Sequence, residues 1–242
     1  LPLGIFGIAT GTAVLPMFSQ YVVEKKWEEL SQSIRFALLS LANLMIPITI
    51  ILIALGNDFI VILFKRGEFD AIAVNKTFVA LMFYSLGLFF FSVNQTLVPL
   101  FYAHKDTKTP VKIAAGMVVV NIILNYILMQ FLGHGGLALS TSITALLNCL
   151  IMLFLIRKRF PLINFSGIVI NLVKITGINS FLLFLLLKVS ALYIPETLSM
   201  LVIKSILLST VTFIAYFAIA MLIKVKYSNY VLKRLWQRFH PN

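Results

Sequence analysis

Apolar residues run along the chain in seven long stretches, at 1–18, 36–55, 77–103, 113–132, 136–156, 165–187 and 198–223, separated by short polar connections. A helix that crosses the hydrocarbon core of a bilayer needs about 20 mostly apolar residues, and each stretch has roughly that length. Strands of a membrane barrel would alternate apolar and polar positions over about ten residues, whereas these runs are continuous. The pattern predicts an all-α polytopic membrane protein with seven transmembrane helices. The third run is long enough to tilt or bend, and it carries Asn94, Gln95 and Pro99 near its end.

Composition agrees and narrows the class. Of 242 residues, 60% are hydrophobic and 12% charged, and the mean hydropathy is +1.01. Soluble domains carry about twice that charged fraction, so a water-soluble enzyme, a disordered chain and a nucleic-acid-binding domain are all excluded as readings. The net charge of +12 is then a matter of which side of a membrane the cations occupy. Segments 19–35, 104–112, 157–164 and 224–242 hold three, three, three and five Lys and Arg, 14 of the 20 in the chain. The alternate segments 56–76, 133–135 and 188–197 hold four, and 56–76 also carries Asp58, Glu68 and Asp70. The first set is expected to face the cytoplasm, with the C-terminus. Seven spans then put Leu1 outside, directly within an apolar helix. With no Met at position 1, no basic leader and no small-residue cleavage site, this opening is not a signal peptide, and the chain is expected to be the C-terminal part of a longer protein.

Several junctions carry local signals. Asp70 is placed to N-cap the third span, with Phe69 and Val74 as a hydrophobic staple. Thr109-Pro110 is placed to start the fourth, Thr as cap and Pro at the first helical position. Between 227 and 239, Tyr230, Val231, Leu235 and Phe239 alternate at helical spacing with Lys233, Arg234, Gln237 and Arg238, the pattern of a basic amphipathic helix on an anionic leaflet. Trp27, Leu30 and Ile34 against Glu24, Lys25, Glu28 and Glu29 give a weaker version in 20–35. Gly7 and Gly11 in the first span form a small-xxx-small pair suited to close helix approach. Pro16, Pro47 and Pro99 predict kinks or breaks.

No enzyme constellation is visible. His104, His134 and His240 fall in loops or the tail without acidic partners at ligand spacing, so no metal site is expected. There is no phosphate-binding glycine loop, and no cofactor is implied. A single cysteine, Cys149, lies in an apolar run and reads as a small buried residue. No acidic residue falls inside the seven apolar runs, so no intramembrane carboxylate is expected to relay protons or sodium. The spans do hold Lys174 and Lys204. These sit at different depths and read either as snorkelling stems or as contacts for an anionic headgroup. Asn121 and Asn125 share a helix face at i, i+4. With Asn94, Gln95, Asn43, Asn148, Ser140, Thr141 and Thr144 they read as inter-helix ties or as cavity lining.

Three strings are too particular to be composition: LGIFGIATGTAVLPMFS (3–19), ILFKRGEFD (62–70) and FYAHKDTKTPVKIA (101–114). In this order and spacing the chain closely resembles the MurJ/MviN family of lipid II flippases, of the multidrug/oligosaccharidyl-lipid/polysaccharide exporter superfamily. The family-motif loops are carried here by Arg66, Gly67 and Phe69, and by Asp106, Thr107, Lys108, Thr109 and Pro110. The resemblance implies a fourteen-helix protein: two six-helix lobes around a central cavity, then two helices forming a lateral hydrophobic groove. This chain would supply most of the eighth helix through the fourteenth. Residues 1–156 would be second-lobe helices, 157–223 the two groove helices and 224–242 a basic cytoplasmic tail.

By the same resemblance the substrate is the lipid-linked peptidoglycan precursor, an undecaprenyl-pyrophosphate disaccharide-peptide, moved across a bacterial cytoplasmic (inner) membrane, and the further partners are membrane lipids and an N-terminal lobe of the same protein. No nucleic acid and no catalysis are implied. Substrate-binding candidates are Lys174 and Lys204 on the groove helices, with Asn94, Gln95, Asn121 and Asn125. Gln95 stands where some relatives carry lysine, and the cations of the first lobe lie upstream of Leu1. The alternatives are a flippase of another lipid-linked polysaccharide, a drug antiporter of the same superfamily, or a non-functional truncated remnant.

Overall fold

Seven helices form the structure, a computed structural model that describes residues 2–193 and 195–228. They are α1 (Leu3–Val23), α2 (Trp27–Phe64), α3 (Ala71–Ala103), α4 (Lys108–Leu132), α5 (His134–Arg159), α6 (Ile168–Leu192) and α7 (Leu198–Leu222). All seven are long and apolar enough to cross a membrane, and no strand occurs among the described residues. The first turn and a half of α1, Leu3–Ile8, winds as a π-helix. The basic tail beyond Ser228 lies outside the described residues.

α2 is the column on which the rest is built. Its first half contributes Leu30, Ile34, Leu38 and Leu39 to a core completed by Phe18 of α1, Leu97, Leu100 and Phe101 of α3, and Met152 and Ile156 of α5. Its second half contributes Ile50, Ile51 and Leu55 to another core, with Ile175, Ile178 and Leu182 of α6 and Tyr216, Phe217 and Ala220 of α7. α6 and α7 therefore attach to the bundle chiefly through α2. α4 packs mainly on α5 and leaves Val118, Ile122, Ile123, Tyr126 and Phe131 exposed. So many large apolar side chains on the outside would aggregate in water; a bilayer covers them at no cost.

The close approach of α1 to α3 comes from glycine. A Cβ at Gly11 would sit 2.5 Å from the carbonyl oxygen of Gln95, so only a residue without a side chain lets the two backbones meet there. The loops at one end of the bundle gather together. Trp27, at the start of α2, stacks on His104, after α3, at 6.2 Å, and His104 meets the Phe160 ring, after α5, at 3.8 Å. Arg35 bridges to Glu28 at 2.9 Å and reaches Ser166 of the α5–α6 connection at 3.2 Å. This end carries three of the four lysine- and arginine-rich segments; it is called the basic end below.

Four sequence expectations change. The stretch 20–35 is not a separate surface helix: α1 runs through Val23, a short turn follows, and α2 starts at Trp27 and continues unbroken to Phe64. Its apolar face, Leu30 and Ile34, is buried in the bundle core instead of lying on lipid. Pro16, Pro47 and Pro99 all lie inside continuous helices, so none of them breaks its span. The fourth helix starts at Lys108 with Thr107 at its N-cap position, and the capping hydrogen bond comes from Asp106 just before it, whose carboxylate accepts from the Thr109 amide at 2.9 Å; Thr109 does not cap, and Pro110 is the third helical residue. Finally, Asp58, read from hydropathy as part of the connection 56–76, belongs to α2, three residues beyond the apolar run 36–55. Apolarity marks where hydrocarbon ends, not where backbone hydrogen bonding stops; at 38 residues and 1.5 Å per residue, α2 is about 57 Å long, well beyond a 30 Å core.

Candidate functional site

The predicted polar residues sort into three places. Between α4 and α5, Asn125 donates to Asn121 Oδ1 at 3.0 Å, Asn121 donates to Thr144 Oγ1 at 3.3 Å, and the Ser140 hydroxyl donates to Asn125 Oδ1. The i, i+4 spacing puts both amides on the face that meets α5, and α5 answers with hydroxyls at its own i, i+4. On the other side of α5, Asn94 of α3 donates to the Ala145 carbonyl at 3.0 Å, and Ser142 donates to the Phe83 carbonyl at 2.7 Å. α5 is thus tied to both neighbours by side-chain hydrogen bonds. Gln95 stands apart, with its side chain on the exposed side of α3 and its carbonyl against Gly11.

A second centre lies near the basic end of α2, α6 and α7. Tyr216, fully buried, donates to Asn43 Oδ1 at 2.7 Å. The Asn43 amide donates to the Leu39 carbonyl at 2.7 Å and to the Lys226 carbonyl at 3.3 Å. Asn171 accepts from the Lys226 backbone amide at 3.0 Å. The turn that follows α7 is therefore clamped between α2 and α6. Lys174 extends to this same turn, its ammonium donating to the Ile223 carbonyl at 3.3 Å. A cation beside the free carbonyls at a helix C-terminus also meets the favourable end of the helix dipole.

Lys204 lies elsewhere, toward the opposite end of α7, and has the partner that the sequence did not offer. Its ammonium is 3.2 Å from Asp58 of α2, with 10% and 18% of the two side chains exposed. Beside it a crevice of about 290 Å³ opens between Val189 of α6, with Tyr193 just past that helix, and Met200, Ile203 and Leu207 of α7, with Lys204 in its wall. The structure thus separates Lys174 from Lys204, and neither bonds Asn94, Asn121 or Asn125. Among the described residues no three His, Cys, Asp or Glu side chains gather to hold a metal ion.

The two motif loops have distinct architecture. In 62–70, Gly67 has φ +55°, a left-handed turn that favours glycine, and Asp70 caps α3 by accepting from the Ala73 amide at 2.8 Å. Arg66 is exposed, and the Phe69 ring packs on Phe64 at 6.0 Å. In 101–114, Arg159 at the end of α5 pairs with Asp106 and donates to Thr109 Oγ1 at 2.8 Å. Thr107 and Lys108 point out, and Pro110 is buried. Hydrogen bonds from Thr109, with the nearby Arg159 charge, hold the Asp106 carboxyl below the usual aspartate range. Arg159, Asp58, Tyr216 and Asn171 were missed as partners, because each acts across a long sequence separation.

The Asp106 arrangement carries a pH signature. A depressed folded-state value stabilises the loop above the ordinary aspartate pKa of about 3.9, and that stability is lost as pH falls through the folded value. Hydrogen–deuterium exchange of the 104–112 amides, corrected for intrinsic rates, is expected to be flat from neutral pH down to about 5 and to accelerate below about 4. Asp106→Asn keeps an acceptor for the cap and should abolish the acid-dependent acceleration; its persistence would disprove the assignment.

Seven long apolar helices joined by short loops, tied inside by side-chain amides and hydroxyls, define a multi-pass helical membrane protein. Comparison with known proteins specifies which. The sequence model of the family described as "Lipid II flippase MurJ" matches residues 1–237, and the chain belongs to that family. Among similar proteins, the "Lipid II flippase MurJ" of Burkholderia cenocepacia is 36% identical over 158 residues, covering 65% of this chain and 31% of the relative. The "Probable lipid II flippase MurJ" of Vibrio cholerae serotype O1 is 37% identical over 147 residues, 61% of this chain and 28% of the relative. A solved structure titled "Lipid II flippase MurJ, inward closed conformation" superposes with a TM-score of 0.70 at 26% identity, covering 90% of this chain and 44% of that one. The chain thus spans about a third of the curated relatives' length in these matches, and under half of the solved chain.

Proposed function

We propose that this chain is the second-lobe portion of a flippase that carries lipid II, the lipid-linked peptidoglycan precursor, from the inner to the outer leaflet of a bacterial cytoplasmic membrane. The family match over residues 1–237 carries this reading. In it, residues 1–156 complete a two-lobe cavity with an N-terminal lobe, 157–223 supply a groove for the isoprenoid tail, and 224–242 lie on the cytoplasmic surface. The basic end of the bundle is then cytoplasmic, as is the C-terminus, in keeping with the positive-inside rule.

The physical task is to move a charged, sugar-bearing headgroup past hydrocarbon that cannot solvate it. A cavity open sideways to lipid does this by replacing water with protein polar groups while the tail stays in the bilayer. Nothing is made or broken, so the chain works as a transporter and not as an enzyme. Lys174 and Lys204 are the candidate contacts for the pyrophosphate, and Asn94, Gln95, Asn121 and Asn125 the neutral polar candidates.

Complementation tests this. In a strain depleted of its own lipid II flippase, a full-length gene carrying this chain as its second lobe is expected to restore growth and lipid II externalisation. The 242-residue chain alone is expected to restore neither. Export of another lipid-linked polysaccharide without lipid II externalisation would overturn the substrate, and rescue by the chain alone would overturn the need for a first lobe.

A further inference from the structure

We propose that the Lys204–Asp58 ion pair is a latch that holds the first half of α7 against α2 and thereby sets the width of the crevice between α6 and α7. The argument starts from how unequally the two helices are packed. α6 buries a stripe, Ile168, Asn171, Ile175, Ile178, Asn179, Leu182 and Leu186, that reaches to within two turns of its end. α7 buries Thr212, Tyr216, Phe217 and Ala220 in its second half, but only Ser205 in its first. There, Leu198, Met200, Ile203, Ile206 and Leu207 are between 45% and 65% exposed. Apolar burial fixes the second half of α7, and the Asn43–Tyr216 clamp reinforces it. Of the first half only Leu208, at its inner end, packs against that core; neither hold reaches Leu198–Leu207.

What does reach it is the ion pair. Lys204 and Asp58 face each other at 3.2 Å with little exposure of either side chain. Asp58 Oδ2 has no hydrogen-bond partner, so the contact is ionic and off the hydrogen-bond axis. Among the described residues no other hydrogen bond or ion pair links this half of α7 to another helix. Two opposite charges in a poorly solvated place hold each other firmly, but either one alone is strongly disfavoured there. Such a pair has two states, joined or separated with each charge drawn to a polar surface. The buried stripe of α6 runs to Leu186, three residues short of the crevice residue Val189, whereas α7 buries only Ser205 before Thr212, so the less firmly held crevice wall is α7. The latch therefore determines how far the crevice opens, whatever occupies it.

Electron–electron distance measurements on the chain in phosphatidylethanolamine/phosphatidylglycerol nanodiscs test the latch. Spin labels go on the exposed Leu63 of α2 and Leu198 of α7, and a control pair on Glu29 of α2 and Leu222 of α7 at the basic end. The unsubstituted chain should give one narrow distance at each pair. Asp58→Asn and Lys204→Gln should each roughly double the width of the Leu63–Leu198 distribution, because two populations replace one, and leave the control narrow. The charge-exchanged chain, Asp58→Lys with Lys204→Asp, should return it to a narrow distribution. Single variants with unchanged width overturn the proposal. If a single variant broadens the control as well, the charge-exchanged chain decides: narrow at both pairs supports the latch, and broad at either overturns it.

Discussion

Gly11→Val is expected to force α1 off α3 and to lower the stability of the helical bundle by about 1–3 kcal/mol, the usual cost of overpacking a tight contact. The reason is local. A Cβ at this position would lie 2.5 Å from the carbonyl oxygen of Gln95, and that oxygen belongs to the backbone of α3, which has no rotamer to escape into. Valine adds two further methyl groups to the same gap. Gly4, in the same apolar run, has nothing within 4 Å of where its Cβ would be, so Gly4→Ala should leave stability unchanged or slightly raised. Thermal unfolding in detergent, followed by intrinsic fluorescence or by loss of monodispersity, compares the two. Equal midpoints for Gly11→Val and the parent would show that the two helices do not meet at this glycine.

Asn43→Leu carries the next largest effect. The substitution leaves the Tyr216 hydroxyl, fully buried in the core between α2, α6 and α7, without its 2.7 Å acceptor. It also removes the 3.3 Å tie to the Lys226 carbonyl. An unpaired buried donor costs about 1–3 kcal/mol; hydrogen bonds between helices in membrane proteins average closer to 0.6 kcal/mol. The upper range applies here, because a fully buried hydroxyl has no lipid headgroup or water to turn to. Tyr216→Phe should cost less than Asn43→Leu, since Asn43 keeps its bonds to Leu39 and Lys226. The pair combined should cost less than the sum of the two single changes by on the order of 1 kcal/mol. Additive losses in this double-mutant cycle would mean that the two side chains do not interact.

The spans were legible because membrane burial leaves a one-dimensional trace: a run of apolar residues about as long as the hydrocarbon is thick. Asp70 as the cap of α3 was legible too, since a cap is a contact between residues three apart, and the structure has it at 2.8 Å. Asp106 shows the limit of such signals. Asp106, Thr107 and Thr109-Pro110 stand within five residues, with three side chains able to cap, and the capping hydrogen bond fell to Asp106 in the company of Arg159, 53 residues away. Asn121 and Asn125 were readable as one helix face. That their partners are Ser140 and Thr144 depends on how α4 folds back on α5 through the turn at Gly133.

Asp58 marks the same boundary for the candidate site. By hydropathy it falls past the apolar run, so it read as a loop residue, while α2 carries it on to face Lys204, 146 positions further along the chain. Hydropathy and helical period act between near neighbours and are written into the chain in order, which is why the helix count, their approximate extents, the distribution of cations and the motif loops follow from the residues alone. Which polar group meets which is different. Arg159 with Asp106, Tyr216 with Asn43 and Lys204 with Asp58 each join helices distant in sequence, and no local pattern encodes the partner. A poorly solvated polar group must be paired, but packing chooses with what, and that choice divides the predicted polar residues among an α4–α5 seam, a clamp on the end of α7 and a latch at its start.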